Sequence, residues 1–106
     1  MDAHFECSKF PPHHFFGTRF IGQQMRGELE ALLDSHQSVE VDFTGLNATQ
    51  SFIDEMVGVL VLHYGSAILQ RLSFKGCNED IQTILHFVVS SRLADFESRK
   101  QAQQSH

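Results

Sequence analysis

The chain has no tryptophan, one tyrosine and two prolines, against ten phenylalanines. Its core must therefore be built from phenylalanine and aliphatic side chains. The two cysteines, Cys7 and Cys77, are far apart in sequence, which excludes a disulfide framework and a Cys-x-x-Cys metal knuckle. Bases are scarce as well: 8 Lys and Arg stand against 13 Asp and Glu, for a net charge of −5. Arg19 with Arg26, and Arg71 with Lys75, are local pairs and form no stripe. A protein that grips a phosphate backbone needs a clustered basic face, so no nucleic acid partner is expected. The longest apolar run, "MVGVLVLHYG", is too short to span a bilayer. The opening "MDAHFECSKF" carries an acid where a secretory leader needs positive charge. A reduced, cytoplasmic location with no membrane partner is the expectation.

Hydrophobic residues make up 42% of the 106, an ordinary globular share and enough for one small core. Residues 1–17 give an N-terminal strand and turn: "AHFECSKF" alternates weakly and "PPHHFFG" reads as a turn. In "TRFIGQQMRGELEALLDSH", Ile21, Met25, Leu29, Leu32 and Leu33 recur at helical spacing, with Gly22 and Gly27 weakening the helix. "SVEVDF" is a strand, Val39, Val41 and Phe43 facing one way, Glu40 and Asp42 the other. A second helix from about Ser51 to Tyr64 is apolar nearly all round, hence buried, with Gly65 as its stop. "RLSFKG" reads as a short strand. A last helix opens near Asn78, presents Ile81, Ile84, Leu85, Val88 and Val89, and is expected to break at "SSR". The domain core is thus 18–98, with 99–106 a flexible tail. This alternation predicts an α/β fold: a small single domain with a mixed sheet of about three or four strands and helices packed on it.

The residues with chemistry to offer concentrate in "NATQSFIDEM", residues 47–56. Ser51 is expected to cap the second helix, with Asp54 at the third position completing a capping-box exchange. Asp54 and Glu55 suit the positive end of the helix dipole, and Asp42 could join Asp54 there. The histidines are scattered: His13 and His14 lie in a turn, His63 is expected on a buried helix, and His36 is expected to serve the first helix's C-terminus. No His-Glu-x-x-His, nucleophile elbow, Gly-x-Gly-x-x-Gly or Walker loop is present. Cys77 sits near a helix start, where a thiolate would be stabilised, and reads best as a small apolar residue. No cofactor, metal or enzymatic activity is expected.

Three pieces carry a resemblance: Thr18-Arg19 at a helix opening, Asp42-Phe43-Thr44-Gly45 ending a strand, and Ser51-Phe52-Ile53-Asp54-Glu55 opening the next helix. Together, over residues 15 to 96, they resemble the STAS-like family of bacterial proteins of unassigned function. That family looks like a trimmed relative of the STAS domains, which include anti-sigma-factor antagonists. The resemblance implies a non-enzymatic regulatory module that binds a protein partner and is recognised or phosphorylated by a histidine-kinase-like ATPase. Ser51 falls at the switch position, with Gln50 where switch members carry aspartate. The implied contacts are Ser51 as cap and phospho-acceptor, Asp54 and Glu55 as polar recognition groups, and Thr44 and Asn47 in the loop. Two alternatives remain open: an inhibitor of a host or phage system acting through an acidic surface, and a nucleotide-binding module. Homodimerisation through an N-terminal strand edge is also open.

Overall fold

The computed structural model describes residues 2–7 and 19–104. The expected turn at "PPHHFFG", with His13 and His14, and Thr18 of the Thr-Arg pair lie outside these residues. Strands β1 (Asp2–Glu6), β2 (Ser38–Asp42) and β3 (Leu72–Lys75) form one sheet in the order β1-β2-β3. Both pairings are parallel, where a mixed sheet was expected. Helix α1 (Arg19–Ser35) joins β1 to β2. Three continuous segments, Gln50–Ile53, a π-helical turn Asp54–Gly58 and Val59–Tyr64, form the rod α2, which joins β2 to β3. A short α3 (Ser66–Leu69) precedes β3, and α4 (Glu79–Gln104) closes the order.

The register explains which face each residue serves. Ala3, Val39 and Leu72 are aligned, as are Phe5, Val41 and Phe74, giving the sheet one apolar face. The intervening rows, His4-Glu40-Ser73 and Glu6-Asp42-Lys75, make the other face polar. Both crossovers step the same way across the sheet, so right-handed connections lay α1 and α2 on the same side. Met25, Leu29 and Leu33 of α1 and Phe52, Ile53, Met56, Val57, Leu60 and Val61 of α2 are buried there. The polar face keeps His4, Ser73 and Lys75 exposed. Parallel sheets are ordinarily covered on both sides, which makes this face unusual.

Each helix has a local reason to end. His36 Nδ1, 3.0 Å from Leu32 O, donates to it at the end of α1, as expected of this residue. Arg71 adds N–H bonds to the carbonyls of Leu33, His36 and Gln37. Gly65, at φ +69°, turns the chain out of α2 while its N–H reaches Val61 O at 2.8 Å. His63, expected on a buried helix, is itself exposed beside Tyr64 at this end. Asn78 caps α4, its Oδ1 accepting from Ile81 N at 2.8 Å.

Helix α4 does not break at "SSR". Ile81, Leu85 and Val88 are buried, and Ile84, Val89 and Leu93 pack at their sides. Arg92, within the expected break, reaches back to α2 and holds the helix on course. The helix continues through Gln104, into the stretch expected as a tail.

Candidate functional site

The loop after β2 begins with a tight turn. Asp42 Oδ1 accepts from the Thr44 hydroxyl at 2.5 Å and from the Thr44 N–H at 2.9 Å. The Thr44 hydroxyl bond, then its N–H, then the charges of Lys75 and His4, hold the Asp42 carboxyl below the ordinary range. Asp42 is thereby committed to the loop and the polar sheet face, and does not join Asp54. Leu46 is buried and anchors the loop from within. Asn78 Nδ2 donates to Leu46 O at 3.3 Å and reaches Asn47 Oδ1 at 3.4 Å, tying the loop to the start of α4. Thr44, Gly45, Asn47, Thr49 and Gln50 are all exposed.

The cap of α2 is Thr49, not Ser51. Thr49 has extended backbone, φ −87° and ψ 163°, and its Oγ1 accepts from Phe52 N at 3.2 Å. The cap therefore lies two residues earlier than expected, and Ser51 lies half-buried in the first turn. Asp54 is then the fifth helical residue, too far along to close a capping box, and it turns inward instead.

There Asp54, 9% exposed, meets two arginines. Arg92 of α4 binds it in a fork, Nε to Oδ1 at 2.7 Å and a terminal nitrogen to Oδ2 at 2.6 Å. Arg19 of α1 adds a third bond at 3.0 Å. Its neighbour Glu55 receives Arg26 at 2.9 Å, and Arg26 also donates to the Glu55 carbonyl at 2.6 Å. Arg19 lies 3.7 Å from Glu55 as well. Three helices are thus joined through two adjacent carboxylates. The hydrogen bonds from Arg92, ahead of those from Arg19, hold the Asp54 carboxyl below its usual range despite burial. The same bond raises Arg92.

Two glycines make room for this cluster. A Cβ on Gly22 would lie 2.7 Å from Glu55 Cβ and 2.8 Å from Phe52 O, so α1 can approach α2 closely only with glycine there. A Cβ on Gly58 would lie 2.5 Å from Asp54 Oδ1 and 2.9 Å from Val88. Gly58 ends the π turn, in which Val59 N–H bonds Asp54 O five residues back. Such turns recur at functional sites.

The structure therefore gathers Arg19, Asp54 and Glu55, all flagged in the sequence, into one cluster. Thr44, Asn47 and Ser51 lie on the loop and first turn outside it. Arg26 and Arg92 were missed. Arg26 shows only a local link to Glu30, at 3.8 Å, and Arg92 is 38 residues from its carboxylate. Cys7 and Cys77 follow β1 and β3, at the carboxyl end of the sheet, and both are free thiols. Burial, with Asp42 and Cys77 adding to it, pushes the Cys7 thiol up to about 12. Burial, then Asp42, raises Cys77 too, against the stabilised thiolate its position suggested. Among the described residues, no group of three or more His, Cys, Asp or Glu could hold a metal ion. Nor is any described helix long and apolar enough to cross a membrane.

Comparison with curated proteins and with solved structures returned no match. A family model described as a STAS-like domain of unknown function matches residues 22–82. That span runs from Gly22 through Ser51, Asp54, Glu55 and Gly58 into the start of α4, and covers more than half the chain. The chain belongs to this STAS-like family.

Proposed function

We propose that the protein is a regulatory, non-enzymatic module whose protein partner docks on the tip formed by the loop after β2 and the first turn of α2. The observation that carries this reading is a division of labour among the motif residues. Asp54 and Glu55 are turned inward and paired, while Thr44, Asn47 and Gln50 stay exposed around Ser51. The inward residues set the pose of the helix, and the outward ones offer hydrogen-bonding groups to a partner.

Ser51 is the candidate phospho-acceptor of that tip, with a histidine-kinase-like ATPase as donor. In the transfer, a bond forms from Ser51 Oγ to the γ-phosphorus of ATP. The bond to ADP breaks, and the hydroxyl proton leaves to the kinase. Asp54 and Glu55 stand three and four residues on from Ser51, near enough along the helix for their charges to act on a phosphoryl group there. Their charges are offset by Arg19, Arg26 and Arg92, which relieves the repulsion two bare carboxylates would exert. Arg19, with 52% of its side chain exposed and bonded to Asp54, is the cation we expect to turn toward a new phosphoryl group. The acids give little support to an inhibitor acting through an acidic surface, since they are spread over the sheet, α1, α2 and α4.

Two experiments test the reading. A photo-crosslinking residue at Gln50 should give one discrete adduct in cells, and one at Thr83 on α4 should not. Incubation with ATP and the cognate ATPase should add one phosphoryl group by intact mass, and none to Ser51→Ala. Equal adducts from both positions would refute the docking site, and phosphorylation surviving in Ser51→Ala would refute the acceptor.

A further inference from the structure

A cavity of about 390 Å³ opens at the amino end of the sheet, where α1 ends and β3 begins. Its floor is apolar: Leu33, Leu60 and Ile68 line it and are buried. Tyr64, 53% exposed, forms one wall. Glu30 and Asp34 stand at its rim, one helical turn apart on α1.

The charges around this cavity are locally unfavourable. Like charges four residues apart on a helix repel. Asp34, in the last turn of α1, also faces the negative end of the helix dipole. Relief within the fold is slight. Arg71, which carries the one fixed positive charge among the described lining residues, directs its N–H groups to the carbonyls of Leu33, His36 and Gln37. Arg26 is 3.8 Å from Glu30 but 2.9 Å from Glu55, where its main bond lies. Asp34 has no ion-pair partner among the described residues.

We infer that this cavity binds a small organic monocation, an amine or guanidinium on an aromatic or branched alkyl body. The volume falls within the range of small-ligand clefts. The cation would relieve the Glu30–Asp34 repulsion, and the Tyr64 ring offers it a further attractive face. The body would cover Leu33, Leu60 and Ile68, apolar surface that gains by leaving water. An anionic ligand of the same shape meets the two carboxylates and is rejected.

The test uses the full chain, labelled with ¹⁵N, and phenethylamine as probe. Saturable shifts are expected at the amides of Glu30, Asp34, Tyr64 and Ala67, with a dissociation constant of about 1 mM for so small a probe. Phenethyl alcohol, uncharged with the same body, should bind about tenfold more weakly, and 3-phenylpropionate should leave the spectrum unchanged. The Glu30→Gln/Asp34→Asn variant should keep its fold, melt slightly higher, and lose the preference for the amine over the alcohol. Absence of saturable shifts, equal binding of amine and alcohol, or an undiminished preference in the double variant would each overturn the proposal. A response to an arginine-containing peptide with none to the free amine would overturn its small-ligand form. None of these outcomes depends on the tip, so this site and the partner-docking reading fail separately.

Discussion

Two regions of the molecule are rich in ion pairs, and they differ in what the pairs are worth. On the polar sheet face, His4 Nδ1 lies 3.0 Å from Glu40, and its other nitrogen lies 3.6 Å from Glu6 and 3.5 Å from Asp42. Between the helices, Asp54 accepts three bonds from two arginines. Distances overlap, yet the Glu40 side chain is 42% exposed and that of Asp54 is 13% exposed. Water competes for His4, Glu6 and Glu40 on the sheet face, and screening leaves their pairs with little net effect. Around Asp54 the alternative to a protein partner is a stranded charge. Paired carboxylates are decoration in one place and a fastening in the other.

The sharpest way to break this contrast is to remove each carboxylate in turn. Asp54→Ala should cost about 3 kcal/mol, because Arg19 and Arg92 lose a shared partner; urea unfolding measures it. The pH dependence follows from the same bonds. The folded-state pKa of Asp54 is lowered, so its contribution is full above the unfolded value of about 4. It is lost as the pH falls through the lowered value. Asp54→Asn should therefore unfold with a shallower dependence on acid below about pH 4 than the parent protein.

The next contrast sits within α1. Gly22→Ala should cost about 2 kcal/mol, since its Cβ would press on α2 backbone. Gly27→Ala, with nothing within 4 Å of the added carbon, should instead stabilise by about 0.5–1 kcal/mol. Thermal melts of the two variants should move in opposite directions. At the tip, Thr49→Ala should cost about 1 kcal/mol through loss of the cap, and Ser51→Ala should stay within about 0.5 kcal/mol of the parent. Reversal of that order would restore Ser51 as the cap. Smallest of all, Glu40→Gln should change stability by less than about 0.5 kcal/mol.

The parts legible in the sequence were those set by periodicity. Val39 and Val41 alternate with Glu40 and Asp42, and Met25, Leu29 and Leu33 recur every four residues, so β2, α1 and their buried faces could be read directly. The cap was harder. Thr49 and Ser51 both carry hydroxyls near the helix start, and spacing alone does not say which of them takes the Phe52 N–H. Arg92 was hidden because its partner lies on another helix, and a polar "SSR" suggests a break unless that partner is known. The π turn left no mark in a segment apolar nearly all round. Sequence spacing records neighbours along an element, whereas the cluster is made by neighbours across three.

We propose recognition at the exposed tip and a structural role for the paired carboxylates behind it. The measurement closest to that claim is recovery, by the Asn47→Ala/Gln50→Ala variant, of the partner identified through the Gln50 crosslink. The expected result is a melting temperature within about 2 °C of the parent, with partner recovery lost. Undiminished recovery by a variant so altered at the tip would contradict the account.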